Sequence, residues 1–154
     1  VHSTPFDQLD DLLTRINVAR QRPSWRRRLL ADADPVTSVS TLRTLRAVEH
    51  HQRNGAGASI GDVADYLAVE HSTASRTVSA VAAAGLITKS SAAEDQRRSV
   101  LVLTDIGVKA LAAVTDRRRE LVAETVADWD PADVDRLVAL LDRLTRRFEE
   151  AGCR

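Results

Sequence analysis

Two short apolar stripes separated by a three-residue turn constrain this chain more than any other feature. Ile60, Val63, Ala64 and Leu67 recur at helical spacing behind Ser59, a residue type that caps helix N-termini. Ala68 to Glu70 form the turn. A second helix over about 71–84 carries Ala74, Val78 and Val81 on its inner face, and Gly85 ends it at the position that favours a left-handed residue. Leu86-Ile87 and the alternating Val100-Leu101-Val102-Leu103 then read as two short strands. Between them lies a polar arm, Ser90 to Ser99. The order is helix-turn-helix followed by a β-hairpin.

Helical spacing continues on both sides. Thr4-Pro5 reads as an N-cap and first helical residue, and Phe6, Leu9, Leu12, Leu13 and Ile16 follow until Pro23. Ser24 is the expected cap of a short piece from Trp25 to Leu30, and Ser38 to about Arg53 places Leu42, Leu45 and Val48 on one face. Asn54-Gly55-Ala56-Gly57 breaks the pattern. After the hairpin, Thr104 caps a long helix reaching about Trp129, with Ile106, Leu111, Val114, Leu121, Val122 and Val126 as its stripe. Asp130-Pro131 starts the last helix, where Val134, Leu137, Leu141, Leu144 and Phe148 step by three and four. That seam is too long for a small winged domain to cover. The expected fold is mainly α: a winged helix-turn-helix with a small β-hairpin wing, flanked by N- and C-terminal helices. The expected boundaries are 1–37 for the N-terminal helix and connector, 38–104 for the winged domain, and 105–154 for the C-terminal helices. With 3% aromatics, the core is built from Leu, Val, Ile and Ala.

Composition narrows the function. Lys plus Arg equals Asp plus Glu at 22 each, which argues against a uniformly basic coat. No apolar run is long enough to span a membrane, and Asp7, Asp10 and Asp11 stand where a secretory leader would be basic and then apolar, so the expected compartment is the cytoplasm. One cysteine, Cys153, excludes a disulfide framework within the chain and a multi-cysteine zinc site. Neighbouring His50 and His51 point about 100 degrees apart on a helix and cannot chelate together as an i, i+4 pair does. There is no glycine-rich phosphate loop and no nucleophile elbow, so the expectation is a non-enzyme without cofactor or metal. Residues 15–31 hold six Arg and no acid, including the run Arg26 to Arg28, and suit either phosphates or a solvated, ion-paired face. Arg117 to Arg119 interrupt the stripe of the long helix and suit intersubunit ion pairs or an effector anion.

On the second helix of the pair, His71, Ser72, Thr73, Ser75, Arg76 and Ser79 face away from the stripe. Small hydroxylated residues let a backbone approach base edges closely, and Arg matches guanine O6 and N7. Arg97 and Arg98 sit near the tip of the hairpin, where a guanidinium fits a narrow minor groove, and Asp95 is placed to hold Arg97. Residues 71–104 carry Arg76, Lys89, Arg97 and Arg98 against Glu94 and Asp95. That surplus is small, so DNA binding would rest on placement and on two copies. It also leaves a second reading open: a helical dimer whose winged domain binds another protein.

The runs Ser59-Ile60-Gly61-Asp62-Val63-Ala64-Asp65-Tyr66-Leu67-Ala68 and His71-Ser72-Thr73-Ala74-Ser75-Arg76-Thr77-Val78 are followed by Gly85-Leu86-Ile87 and Asp95-Gln96-Arg97-Arg98. With Leu101, Leu103-Thr104 and Gly107, they make the chain resemble the MarR family of bacterial winged-helix transcription regulators. The resemblance covers about residues 38–110 by motif. It implies an intertwined homodimer through the first and last two helices, the N- and C-terminal dimerisation helices, with a major-groove helix starting at His71 and a minor-groove wing bearing Arg97 and Arg98. The implied DNA-contacting residues are Ser72, Thr73, Ser75, Arg76, Lys89, Arg97 and Arg98. The implied partners are double-stranded DNA with an inverted-repeat operator, a second copy and a small-molecule effector such as a phenolic anion. Lys89 stands where the family often has Arg and Ser72 where it often has Pro. The redox branch's N-terminal cysteine is missing, and Cys153 reads as a bystander.

Overall fold

The computed structural model describes residues 4–55, 57–92 and 95–152, with the side chains of 91–99 outside that description. The elements are α1 (Pro5–Gln21), α2 (Pro23–Leu30), α3 (Val39–Arg53), α4 (Ile60–Leu67), α5 (His71–Ala83), β1 (Ile87–Ala92), β2 (Asp95–Leu103), α6 (Asp105–Thr125) and α7 (Pro131–Gly152). They fall into two compact units, residues 1–117 and 118–154.

The helix starts follow local chemistry. Thr4 Oγ1 accepts from the Asp7 amide while the Asp7 carboxylate accepts from the Thr4 amide at 2.8 Å, a reciprocal box with Pro5 in the first turn. The Thr4 hydrogen bonds hold the Asp7 carboxyl below its ordinary range. Ser38 Oγ caps α3 through the Thr41 amide. Asp130 Oδ1 accepts from the Ala132 amide at the start of α7. The start of α2 departs from expectation: Arg22 occupies the N-cap with no side-chain bond, and Ser24 lies inside the helix. Pro23 explains the shift, because its fixed φ and missing N–H suit the first helical position and leave nothing for Ser24 to cap.

The core of the first unit is the winged segment. Leu42, Leu45 and Val48 of α3 pack with Val63, Ala64 and Leu67 of α4 and with Ala74, Val78 and Val81 of α5; all are buried. Leu86, Ile87 and Leu101 close the same core from the hairpin side. Thr44 is the buried polar member, satisfied by donating to the Ser40 carbonyl at 2.9 Å. β1 and β2 pair antiparallel from Ile87↔Leu103 to Ser91↔Ser99, with a register shift before Ala92↔Asp95. Ala58 adds a third short rung, its carbonyl accepting from the Leu101 amide at 2.7 Å.

Three boundaries differ from the sequence reading. The polar arm is mostly ladder rather than loop, since main-chain pairing is indifferent to side-chain polarity and the run from Ser90 onward extends both strands. α6 ends at Thr125, after which the Val126 amide bonds to Ala123 and the Trp129 amide to Val126 in successive turns. Of the expected α6 stripe, Leu111, Val114 and Leu121 are buried whereas Ile106 and Val122 are half exposed, so the buried face is narrower than the apolar one.

α5 ends in a Schellman arrangement. Gly85 takes φ +76°, its amide bonds to the Ala82 carbonyl, and the Leu86 amide reaches back to Val81 at 3.2 Å. Gly107 in the first turn of α6 is buried directly against the Leu86 carbonyl, where a Cβ would overlap it. Because the obstacle is backbone, it cannot swing aside. Gly107→Ala is therefore expected to destabilise the chain by about 1–3 kcal/mol, read as a lowered urea midpoint at unchanged slope. An unchanged midpoint would show that α6 can lift from this contact without cost.

Candidate nucleic-acid interface

The helix-turn-helix is set by three devices. Ser59 and Asp62 form a second reciprocal box at the start of α4, with the Ser59 amide donating to Asp62 Oδ2 at 2.8 Å and the Asp62 amide to Ser59 Oγ at 3.1 Å. Ala68 ends α4 at φ +54°, a conformation that costs a residue with a Cβ about 1–2 kcal/mol. The surroundings over-determine it: the Val69 amide bonds to Ala64, the Ala68 amide to Asp65, and Arg43 Nη2 donates to the Leu67 carbonyl at 3.2 Å. The sequence carries no glycine here, so the left-handed turn had no local signal.

α5 then starts at His71 behind Glu70, which provides no side-chain cap. The Thr73 and Ala74 amides donate to the Glu70 carbonyl at 3.0 Å, which leaves the His71 and Ser72 amides for an outside acceptor, the arrangement that favours anions at helix N-termini. Here the usual Ser, Thr, Asp or Asn is missing just before the helix, which is visible in the sequence but carries weight only once the helix start is known.

Ala74 and Val78 are fully buried and Val81 nearly so, which turns the opposite face outward. On that face His71, Ser72, Thr73, Arg76 and Ser79 are exposed and Ser75 is half buried. The hydroxyls are not equivalent. Ser79 Oγ donates to the Ser75 carbonyl at 2.9 Å and Thr77 Oγ1 to the Thr73 carbonyl at 3.0 Å, so both protons are engaged within the helix. Ser72, Thr73 and Ser75 have no hydrogen-bond partner for their hydroxyls among the described residues, and Arg76 makes no ion pair there. The structure thereby brings four of the sequence-derived candidates, Ser72, Thr73, Ser75 and Arg76, onto the first two turns of one helix.

The other candidates lie on the wing. Lys89 is exposed on β1 opposite Leu101. Arg97 and Arg98 belong to β2 between the Ser91↔Ser99 and Ala92↔Asp95 pairs; their side chains, and the expected Asp95–Arg97 pairing, lie outside the described residues.

Away from this face, the His50 ring lies 5.3 Å from both the His51 and Tyr66 rings, and its Nε2 is 3.3 Å from Asn54 Nδ2. No group of three His, Cys, Asp or Glu is placed to hold a metal among the described residues. Arg117 Nε donates to the Arg28 carbonyl at 3.3 Å, so one arginine of the α6 run is used to hold the end of α2. Among the described residues no helix is long and apolar enough to cross a membrane.

Comparison with known proteins accounts for this arrangement. Residues 36–98 match the sequence profile of the MarR family. No curated protein matches the chain significantly. RV1404 from Mycobacterium tuberculosis is similar in structure at 25% identity and TM-score 0.71, over 95% of each chain. The transcriptional regulator Tm0710 from Thermotoga maritima is similar at 19% identity and TM-score 0.73, over 96% of this chain and 98% of that one. MepR of S. aureus, solved in complex with DNA, is similar at 20% identity and TM-score 0.61, over 96% of this chain and 99% of its own. The same protein bound to ethidium bromide aligns at 21% identity and TM-score 0.62, over 90% and 95%. The matched profile ends inside β2 and spans all of α3, α4, α5 and β1, the elements that orient the exposed face of α5, and over that segment the chain is similar to the MarR family.

Proposed function

We propose that this chain is a sequence-specific, double-stranded DNA-binding transcription regulator, a repressor that works as a homodimer on an inverted-repeat operator and is released by a small-molecule effector. The observation that carries the reading is the outward face of α5, where Ser72, Thr73 and Ser75 hold uncommitted hydroxyls beside the exposed Arg76. In this reading α5 enters the major groove, with Ser72, Thr73, Ser75 and Arg76 on bases and phosphates. Lys89 contacts backbone at the root of the wing, and Arg97 and Arg98 enter the minor groove. The DNA complex of MepR supports the assignment by likeness of fold.

Residues 38–104 act as the reading lobe and the flanking segments, 1–37 and 105–154, as the dimerisation helices. Phe6, Leu12 and Ile16 on α1 and Leu137, Leu141 and Phe148 on α7 are exposed in the single chain and supply the apolar surface that a second copy would cover. The effector class, a small organic anion of the phenolic type, is what the family resemblance implies, whereas the ethidium bound by MepR is a cation. Such a ligand acts only through its affinity difference between dimers with the two α5 helices correctly and wrongly spaced. No catalytic step, cofactor or metal is needed, and the chain works in the cytoplasm, where it meets DNA.

The test is selection from a pool of random duplexes at two salt concentrations. An enriched inverted repeat with half-sites about one helical turn, roughly 10 bp, apart and salt-sensitive affinity is the expected result. A folded dimer that enriches nothing would move the winged domain to the protein-binding class. On the selected duplex, Arg97→Ala/Arg98→Ala is expected to lose about 1–3 kcal/mol per specific contact by fluorescence anisotropy, with the dimer intact. Unchanged affinity would refute the minor-groove assignment. Leu141→Asp is expected to shift the sedimenting species from dimer to monomer, since the interface would bury an unpaired carboxylate. A fully dimeric variant of wild-type stability would place the interface elsewhere.

A further inference from the structure

The junction between the reading helix and the long helix contains a residue bonded on both sides. Thr104 Oγ1 donates its proton to the Gly85 carbonyl at 2.6 Å and accepts from the Gly107 amide at 3.0 Å. The Thr104 main-chain amide donates to the Leu86 carbonyl at 3.1 Å. Gly85 and Leu86 are the two residues that terminate α5 in its Schellman turn, and Gly107 is the third residue of α6. Gly107 is buried under the Leu86 carbonyl, so the helix start lies flat on the residue that ends α5. The preceding amide, Leu103, donates to Gln52 Oε1 of α3 at 3.0 Å, which fixes the wing root from the other side.

An ordinary N-cap uses the acceptor half of a hydroxyl and leaves the proton to solvent. Here the proton is spent on a different element, and on the carbonyl of the residue whose left-handed φ ends α5. We infer that Thr104 is a positioning residue for DNA reading: its hydroxyl locks the C-terminal end of α5 to the first turn of α6, so that the two helices and the wing root turn as one body. The consequence for recognition is geometric. Residues 72–76 lie about two and a half to three and a half turns from the lock, and a small tilt at Gly85 displaces their side chains from base edges while leaving the charged groups able to find phosphates. This inference rests on the DNA reading above, and its first measurement does not.

Native-state amide exchange on the free dimer compares wild type, Thr104→Val, which keeps the shape and removes both side-chain bonds, and Thr104→Ser, which keeps both. The expected result is faster exchange at Gly85, Leu86 and Gly107 in Thr104→Val, by about tenfold relative to the core amide of Val78, and near-wild-type exchange in Thr104→Ser. Acceleration at Gly107 with Gly85 and Leu86 unchanged would overturn the proposal, because Thr104 would then be a cap and nothing more.

The second measurement is affinity for the selected duplex against a scrambled duplex of equal length. Thr104→Val is expected to lose about tenfold on the selected duplex, the size of one lost base contact, and less than about twofold on the scrambled one. Thr104→Ser restores the ratio. An unchanged ratio in Thr104→Val, or an equal fall on both duplexes, overturns the positioning role. A wild-type protein that distinguishes no duplexes refutes the DNA reading and with it the role in recognition, leaving the lock itself to the exchange result.

Discussion

Burial of the small apolar face of α5 is the constraint on which the rest depends. Ala74, Val78 and Val81 are short, so α5 lies close to α3 and α4, and its rotation about its own axis is fixed by what it buries. A buried aliphatic side chain contributes about 1.5–3 kcal/mol, whereas an exposed ion pair such as Arg53–Glu49 at 2.8 Å contributes about 0–1 kcal/mol. Packing therefore decides which side chains of α5 face out, and surface charge only decorates the result. Had the stripe carried Leu or Phe, the helix would sit further from the core and its tilt would be less closely specified.

The second constraint is where the main chain is allowed to end each helix. α4 and α5 both finish in left-handed turns, one at Ala68 and one at Gly85, and both turns bury the residue that follows or flanks them. At Gly85 the φ of +76° is free of strain, and the Leu86 amide bond to the Val81 carbonyl completes the turn with both side chains buried. At Ala68 the same geometry is held against a cost by two helix-end hydrogen bonds and the Arg43 guanidinium. The turn of the helix-turn-helix is consequently rigid without glycine, which fixes the crossing of α4 and α5 as firmly as the core does.

Much of this was legible in the sequence, and for definable reasons. The stripes of α3, α4 and α5 appeared because helical spacing of apolar residues reflects one-sided burial, and Ser59, Ser38 and Thr104 because hydroxyl caps act within three residues. The exposed set Ser72, Thr73 and Arg76 followed by subtraction. What could not be read depends on groups distant in sequence or on the main chain alone. The partner of the Thr104 proton lies at Gly85, the obstacle at Gly107 is the Leu86 carbonyl, and the extent of β1 and β2 comes from ladder bonds that carry no side-chain pattern. The withdrawal of Ser79 and Thr77 into helix-internal bonds is likewise invisible to spacing, and it cuts the polar face to the residues of the first turns.

These features bear together on how a nearly neutral chain would hold DNA. With 22 basic and 22 acidic residues the chain has no net positive charge with which to draw in a duplex or tolerate a poor fit. Affinity then has to come from few contacts placed accurately, and accuracy is a property of the scaffold: the packing beneath α5, the strained turn before it and the hydrogen-bonded junction after it. A chain of this charge that loses its geometry keeps only phosphate contacts, which position a duplex without reading its sequence. In the proposed dimer the same economy makes control simple, since a ligand that alters the spacing of two reading helices by a few ångströms removes accurate contacts from one half-site while leaving each lobe folded. Rigid lobes are what make spacing a usable variable, because a flexible α5 would absorb the change before it reached the base edges.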